Sequence, residues 1–80
     1  MQYIGIIELE NGDYYEVFKI ESDGKNYLEA GACTNTGFLS YYGIDYDDDV
    51  TLDENIERLY DHVVECKAQD DDIKELLKDY

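Results

Sequence analysis

Asp53, Glu57, Asp61 and Glu65 recur at every fourth position, a spacing that stacks side chains on one helix face with about 6 Å of axial rise between neighbours. Like charges so placed destabilise an isolated helix by about a few tenths of a kcal/mol per pair. Arg58 is the only basic residue between Asn26 and Val64 that could offset them. A second acidic group lies upstream, where Tyr41, Tyr42, Asp45, Tyr46, Asp47, Asp48 and Asp49 mix phenol rings with carboxylates. Repeated negative charge beside flat rings is what a nucleic acid offers a protein. B-DNA carries one charge per roughly 1.7 Å of axis, and arginine stacks on π-faces. The chemistry suggested is recognition of a cationic surface. The plainer account is a solvated helix face with helix-start carboxylates favoured by the macrodipole. That account covers Asp53 and Glu54 but fits Asp47, Asp48 and Asp49 less well.

Bond-making chemistry finds little support. Asp45, Asp47, Asp49, Thr51 and Asp53 alternate like the early ligands of a calcium loop, but Val50 stands where such a loop needs glycine and Ile56 where it needs a bidentate glutamate. His62 and Cys66 are one helical turn apart, yet two ligands are too few for structural zinc, and Cys66 falls on an apolar stripe. There is no phosphate-binding glycine loop, zinc-protease helix motif or serine elbow. The expectation is a binding protein, not an enzyme, with no cofactor and no metal.

Composition narrows the partner. The chain of 80 residues has 21 Asp plus Glu against 6 Lys plus Arg, a formal net charge of −15, yet 44% of it is hydrophobic and it contains nine tyrosines. That apolar content supports a folded core, unlike most acidic disordered tails. Self-repulsion opposes compaction of so small a domain, so added salt is expected to raise its melting temperature; a salt-independent melt would count against this. Phosphate binding needs clustered cations, which excludes direct contact with nucleic acid. Met1 precedes no basic segment or long apolar run, so the expected location is the cytoplasm, with no membrane span and with Cys33 and Cys66 as reduced thiols.

The elements that position these residues follow from turns and periodicity. Asn11-Gly12 between β-rich runs predicts a two-residue hairpin loop. Leu9 would then face Tyr14, Ile7 would face Glu16, and Gly5 would face Phe18. One sheet face would collect Tyr3, Ile7, Leu9, Tyr14, Phe18 and Ile20, with Glu16 its misfit. Ser22-Asp23-Gly24 reads as a three-residue loop setting Leu28 opposite Phe18. A third strand covers residues 26–33, with small Ala30 and Ala32 leaving room for a helix, and a fourth covers residues 38–42. After Val50 the apolar period lengthens: Leu52, Ile56, Leu59, Val63 and Cys66, widened by Tyr60 and Val64, predict a helix capped by Thr51 with Glu54. The acidic run 70–72 leaves open one long helix or a break before a short terminal one carrying Ile73, Leu76, Leu77 and Tyr80. The fold expected is a single α+β domain over 1–80. A β-meander of three to four antiparallel strands (1–46) is followed by a helical part (51–80) packed on one sheet face.

In general character the chain resembles the small acidic anti-defence proteins of phages, including anti-CRISPR proteins that mimic nucleic acid. The residues carrying this resemblance are Tyr41-Tyr42, Asp45-Tyr46-Asp47-Asp48-Asp49 and the ridge Asp53, Glu57, Asp61 and Glu65. It implies an inhibitor that occupies and blocks the DNA- or RNA-binding channel of a host nuclease complex or another nucleic-acid-handling enzyme; the expected state is a monomer or weak homodimer in the host cytoplasm. Two further roles fit the same composition: an immunity protein or antitoxin covering a toxic nuclease, and an assembly protein pairing through an exposed sheet edge.

Overall fold

The computed structural model describes the backbone of residues 1–78 and the side chains of residues 1–68. Four strands, β1 (Gln2–Glu8), β2 (Tyr14–Ser22), β3 (Lys25–Thr34) and β4 (Gly37–Asp45), precede one helix, α1 (Leu52–Lys78). The strands pair in chain order as an antiparallel sheet, and α1 packs on one face, over β3 and β4. The architecture is the α+β meander with a single helical layer read from the sequence. Of the two alternatives for the C-terminal part, α1 continues as one helix to Lys78. The side chains of Ile73, Leu76, Leu77 and Tyr80 lie outside the described residues.

Both hairpin registers differ from expectation by one residue, because the two loops exchange types. Gly12 N–H donates to Leu9 O at 3.0 Å and Leu9 N–H to Asp13 O at 2.7 Å, while Gly12 has φ 92°. This is a type I turn closed by a left-handed glycine, a three-residue loop in place of the two-residue one. Asp13 N–H donates to Asn11 Oδ1 at 3.0 Å and supports it. The extra residue places Glu8 opposite Tyr14, Ile7 opposite Tyr15 and Gly5 opposite Val17. Conversely, Ser22 pairs with Lys25 around Asp23 and Gly24, whose φ values of 53° and 78° are those of a two-residue type I′ turn. Leu28 therefore lies opposite Lys19, not Phe18.

A one-residue slip exchanges the faces of a strand. Val17 and Tyr15 turn toward the helix, while Phe18, Ile20 and Glu16 turn away, so Glu16 is no misfit. The core consists of Ile7, Leu9, Val17, Leu28, Ala30, Leu59 and Val63. Leu28, Leu59, Val17 and Val63 are fully buried, each worth about 1.5–3 kcal/mol relative to exposure. Ala30 makes room for the helix as expected, whereas Ala32 is half-buried. On α1 the buried line is Asn55, Leu59 and Val63; Leu52 and Val64 are exposed, and Cys66 is half-buried.

Each edge strand carries a bulge. Pairing skips Ile4 in β1 and Tyr41 in β4. The second bulge lies beside Gly31, where an added Cβ would stand 1.9 Å from the Leu39 carbonyl oxygen and 2.9 Å from Ser40 Cα. Both obstacles are backbone and cannot swing aside. Gly31→Ala is expected to lower unfolding free energy by about 2 kcal/mol, measured by urea denaturation; an unchanged midpoint would show that β4 yields freely.

Candidate partner-binding surface

The acidic loop is fixed to the helix by a buried side chain. Asn55 is fully buried; its Oδ1 accepts from Asp47 N–H at 2.9 Å, and its Nδ2 donates to Asp47 O at 2.9 Å and to Thr51 O at 3.0 Å. Arg58 donates to Asn55 Oδ1 at 3.0 Å and reaches Asp45 O at 3.5 Å. The Asp47 carboxylate is tied locally, its Oδ1 accepting from Asp49 N–H at 2.9 Å. Thr51 Oγ1 accepts from Glu54 N–H at 3.2 Å, the N-cap expected of it. Upstream, Tyr46 N–H donates to Asn26 O at 3.0 Å, joining the loop to the sheet. Asp45, Asp48, Asp49 and Asp53 are thereby exposed around the start of α1, while Asp47 is half-buried.

Asp53, Glu57, Asp61 and Glu65 are all exposed. Each lies two positions from the buried line, a rotation of about 200° on a helix, which sets the ridge on the side facing away from the sheet. Three of the described cations are engaged away from the ridge. Arg58 serves Asn55; Lys19 lies 4.2 Å from the centre of the Tyr46 ring; Lys67 pairs with Asp13 and lies 5.8 Å from the centre of the Tyr15 ring. Lys25 lines a hollow with Asp45 and Asp48. Among the described residues the only ion pair is Lys67 with Asp13, so no described side chain neutralises the ridge by pairing.

The three tyrosines of the acidic group are separated by the fold. Tyr41, at the β4 bulge, is 54% exposed. Tyr42 packs against the core and meets Tyr15 edge-on, ring centres 5.6 Å apart. Tyr46 also packs against the core, with Lys19 over its face. Tyr41 is therefore the ring of the group that is most open to a partner. Cys66 Sγ lies 3.6 Å from His62 Nε2, and among the described residues no three His, Cys, Asp or Glu side chains converge as a metal ion would require. No described helix is long and apolar enough to cross a membrane.

Two carboxylates are held below the usual range. The hydrogen bond from Lys67, then that from Asn11, lowers Asp13, while Asp13 raises Lys67. Glu16 is lowered chiefly by the Cys33 side chain and then by Cys33 N–H, which donates to it at 2.9 Å, and the same contact raises the Cys33 thiol. A depressed Asp13 stabilises the fold fully above its unfolded value of about 3.9 and loses that contribution as pH falls through its folded value. A raised Lys67 contributes below about 10.4 and loses it as pH rises through its own folded value. Lys67→Met is thus expected to melt below the wild type at pH 7, with the difference shrinking at pH 3. A pH-independent difference would assign the effect to packing on Tyr15.

Asn55 and the Glu16–Cys33 contact went unrecognised in the sequence, where a lone asparagine between Glu54 and Ile56 has no periodic signal. Comparison of the chain with protein-family models, curated proteins and solved structures found no match.

Proposed function

We infer that the chain is an acidic inhibitor of the anti-CRISPR or anti-restriction type. Its carboxylates occupy the basic nucleic-acid-binding groove of a nuclease complex or another nucleic-acid-handling protein, as a mimic of DNA or RNA. The observation that carries this is the exposed ridge Asp53, Glu57, Asp61 and Glu65, with Asp48 and Asp49 exposed ahead of it and with Arg58, Lys19 and Lys67 committed elsewhere. A carboxylate line with no ion-pair partner among the described residues keeps its field available to a cationic surface, which accelerates association and selects the partner's charge. Tyr41 supplies an exposed ring on which arginine can stack. Affinity capture from a host lysate at low and high salt tests this. A nucleic-acid-handling protein retained at low salt alone is expected; capture confined to acidic or uncharged proteins would contradict it.

One observation favours self-assembly. Neither Gln2 to Ile7 in β1 nor Phe38 to Ile44 in β4 includes a charged residue, so both sheet edges lack the charges that commonly guard against strand addition. The bulges at Ile4 and Tyr41 oppose it by breaking each edge into short pieces. Sedimentation over a range of protein concentration decides: a constant monomer mass dismisses edge pairing.

A further inference from the structure

We propose that the sheet face opposite α1 is a second docking surface, for a protein partner that combines arginine with apolar side chains. The proposal does not depend on the reading of the helix. An antiparallel sheet covered by one helix leaves its other face to water, and that face ordinarily reads as polar. Here Tyr3, Phe18 and Phe38 form a continuous ring row: Tyr3 and Phe18 are 5.4 Å apart at 67°, and Phe18 and Phe38 are 4.5 Å apart at 51°. The second contact bridges from β2 to β4 across β3, where Gly31 has no side chain to intervene and is itself buried. Ile6 extends the apolar surface; it is 58% exposed and Tyr3 54%. No described element packs over these residues.

Charge selects the occupant. Glu29 stands opposite Phe18 in the β2–β3 register. Glu16, two residues before Phe18 and therefore on the same face, is fixed by Cys33 N–H at 2.9 Å. The neighbouring cation on β2, Lys19, turns to the other side over Tyr46. Rings bordered by carboxylates, one of them held by a backbone amide, suit guanidinium groups, which stack on aromatic faces and pair with carboxylates in one geometry. A second copy of this chain would instead oppose Glu16 and Glu29 to their own equivalents, at a net charge of −15 per molecule.

Amide NMR of the full chain tests this with three hexapeptide probes: alternating arginine and tryptophan, arginine alone, and alternating glutamate and tryptophan. The arginine–tryptophan probe is expected to shift amides around Tyr3, Phe18, Glu29 and Phe38, and Glu29→Gln with Tyr3→Ser to weaken it at least about tenfold. Both substituted side chains lie outside the core, and Phe18→Ser serves as an additional variant if it folds. Shifts confined to the acidic loop and α1 would overturn the proposal while leaving the helix reading in place. Equal binding of the glutamate–tryptophan probe would overturn the choice of a cationic occupant. Concentration-dependent dimer mass, with resonances of this face broadening in the absence of peptide, would replace that occupant with a second copy.

Discussion

Exchanging Asp53, Glu57, Asp61 and Glu65 for Asn and Gln together is expected to weaken partner binding by up to about a thousandfold while making the protein more stable. Each exposed charge pair with a cationic groove contributes about 1 kcal/mol at most when solvated, and four of them sum to about 4 kcal/mol, close to three decades in affinity. The same carboxylates repel one another along the helix, and relief of three such contacts returns about 1 kcal/mol of stability. Opposite signs for binding and stability separate a presented charge from a structural one. Inhibition assays with the captured partner and thermal melts of the same variant provide the check. Unchanged inhibition would reduce the ridge to a solvated face; a lower melting temperature would show that the charges support the fold. Asp48 and Asp49 are suitable additional positions for reversal to lysine, being exposed. Asp47 is unsuitable, since its carboxylate accepts from Asp49 N–H at 2.9 Å and its removal would confuse loop geometry with charge.

Asn55→Ala is the substitution expected to be most damaging to the scaffold. It leaves Asp47 N–H, Asp47 O, Thr51 O and the Arg58 guanidinium without their shared partner. Asp47 O and Thr51 O keep the Val50 and Asn55 amides, but Asp47 N–H loses its acceptor at about 1–3 kcal/mol, and with the void left by the buried side chain the net loss should be about 3 kcal/mol, a large fraction of the stability of a domain this size. Urea denaturation measures it. Asn55→Asp keeps an acceptor for Asp47 N–H and Arg58 but loses the donor to Asp47 O and Thr51 O, so it should fall between the wild type and the alanine variant. A loss below about 0.5 kcal/mol for Asn55→Ala, the range of ordinary surface changes, would mean that the loop keeps its position without this residue.

The architecture was legible where patterns span several residues. The change of apolar period after Val50, the Thr51 cap and the turn signals at Asn11-Gly12, Asp23-Gly24 and Gly37 located every element of the described chain. Loop type was not legible, since Asn-Gly and Asp-Gly each serve both a two-residue turn and a three-residue turn ending in a left-handed glycine. One residue of difference exchanged the faces of β2 and set Phe18 outside the core, with Val17 inside. Exposure of Asp53, Glu57, Asp61 and Glu65 was readable because polar periodicity is the complement of apolar periodicity. The anchoring of the Asp47 backbone and the packing of Tyr42 and Tyr46 against the core were not, because they involve Asn55, the β4 bulge and Lys19, which come from separate parts of the chain.

Competition between this chain and nucleic acid for one captured partner tests the central claim most directly. With a labelled duplex or single strand bound to that partner, added chain is expected to displace the label competitively, less effectively as salt rises, and to lose its effect when the ridge is neutralised. A ternary complex, with the label still bound and the chain seated elsewhere, would contradict the assignment of these carboxylates as a substitute for phosphates.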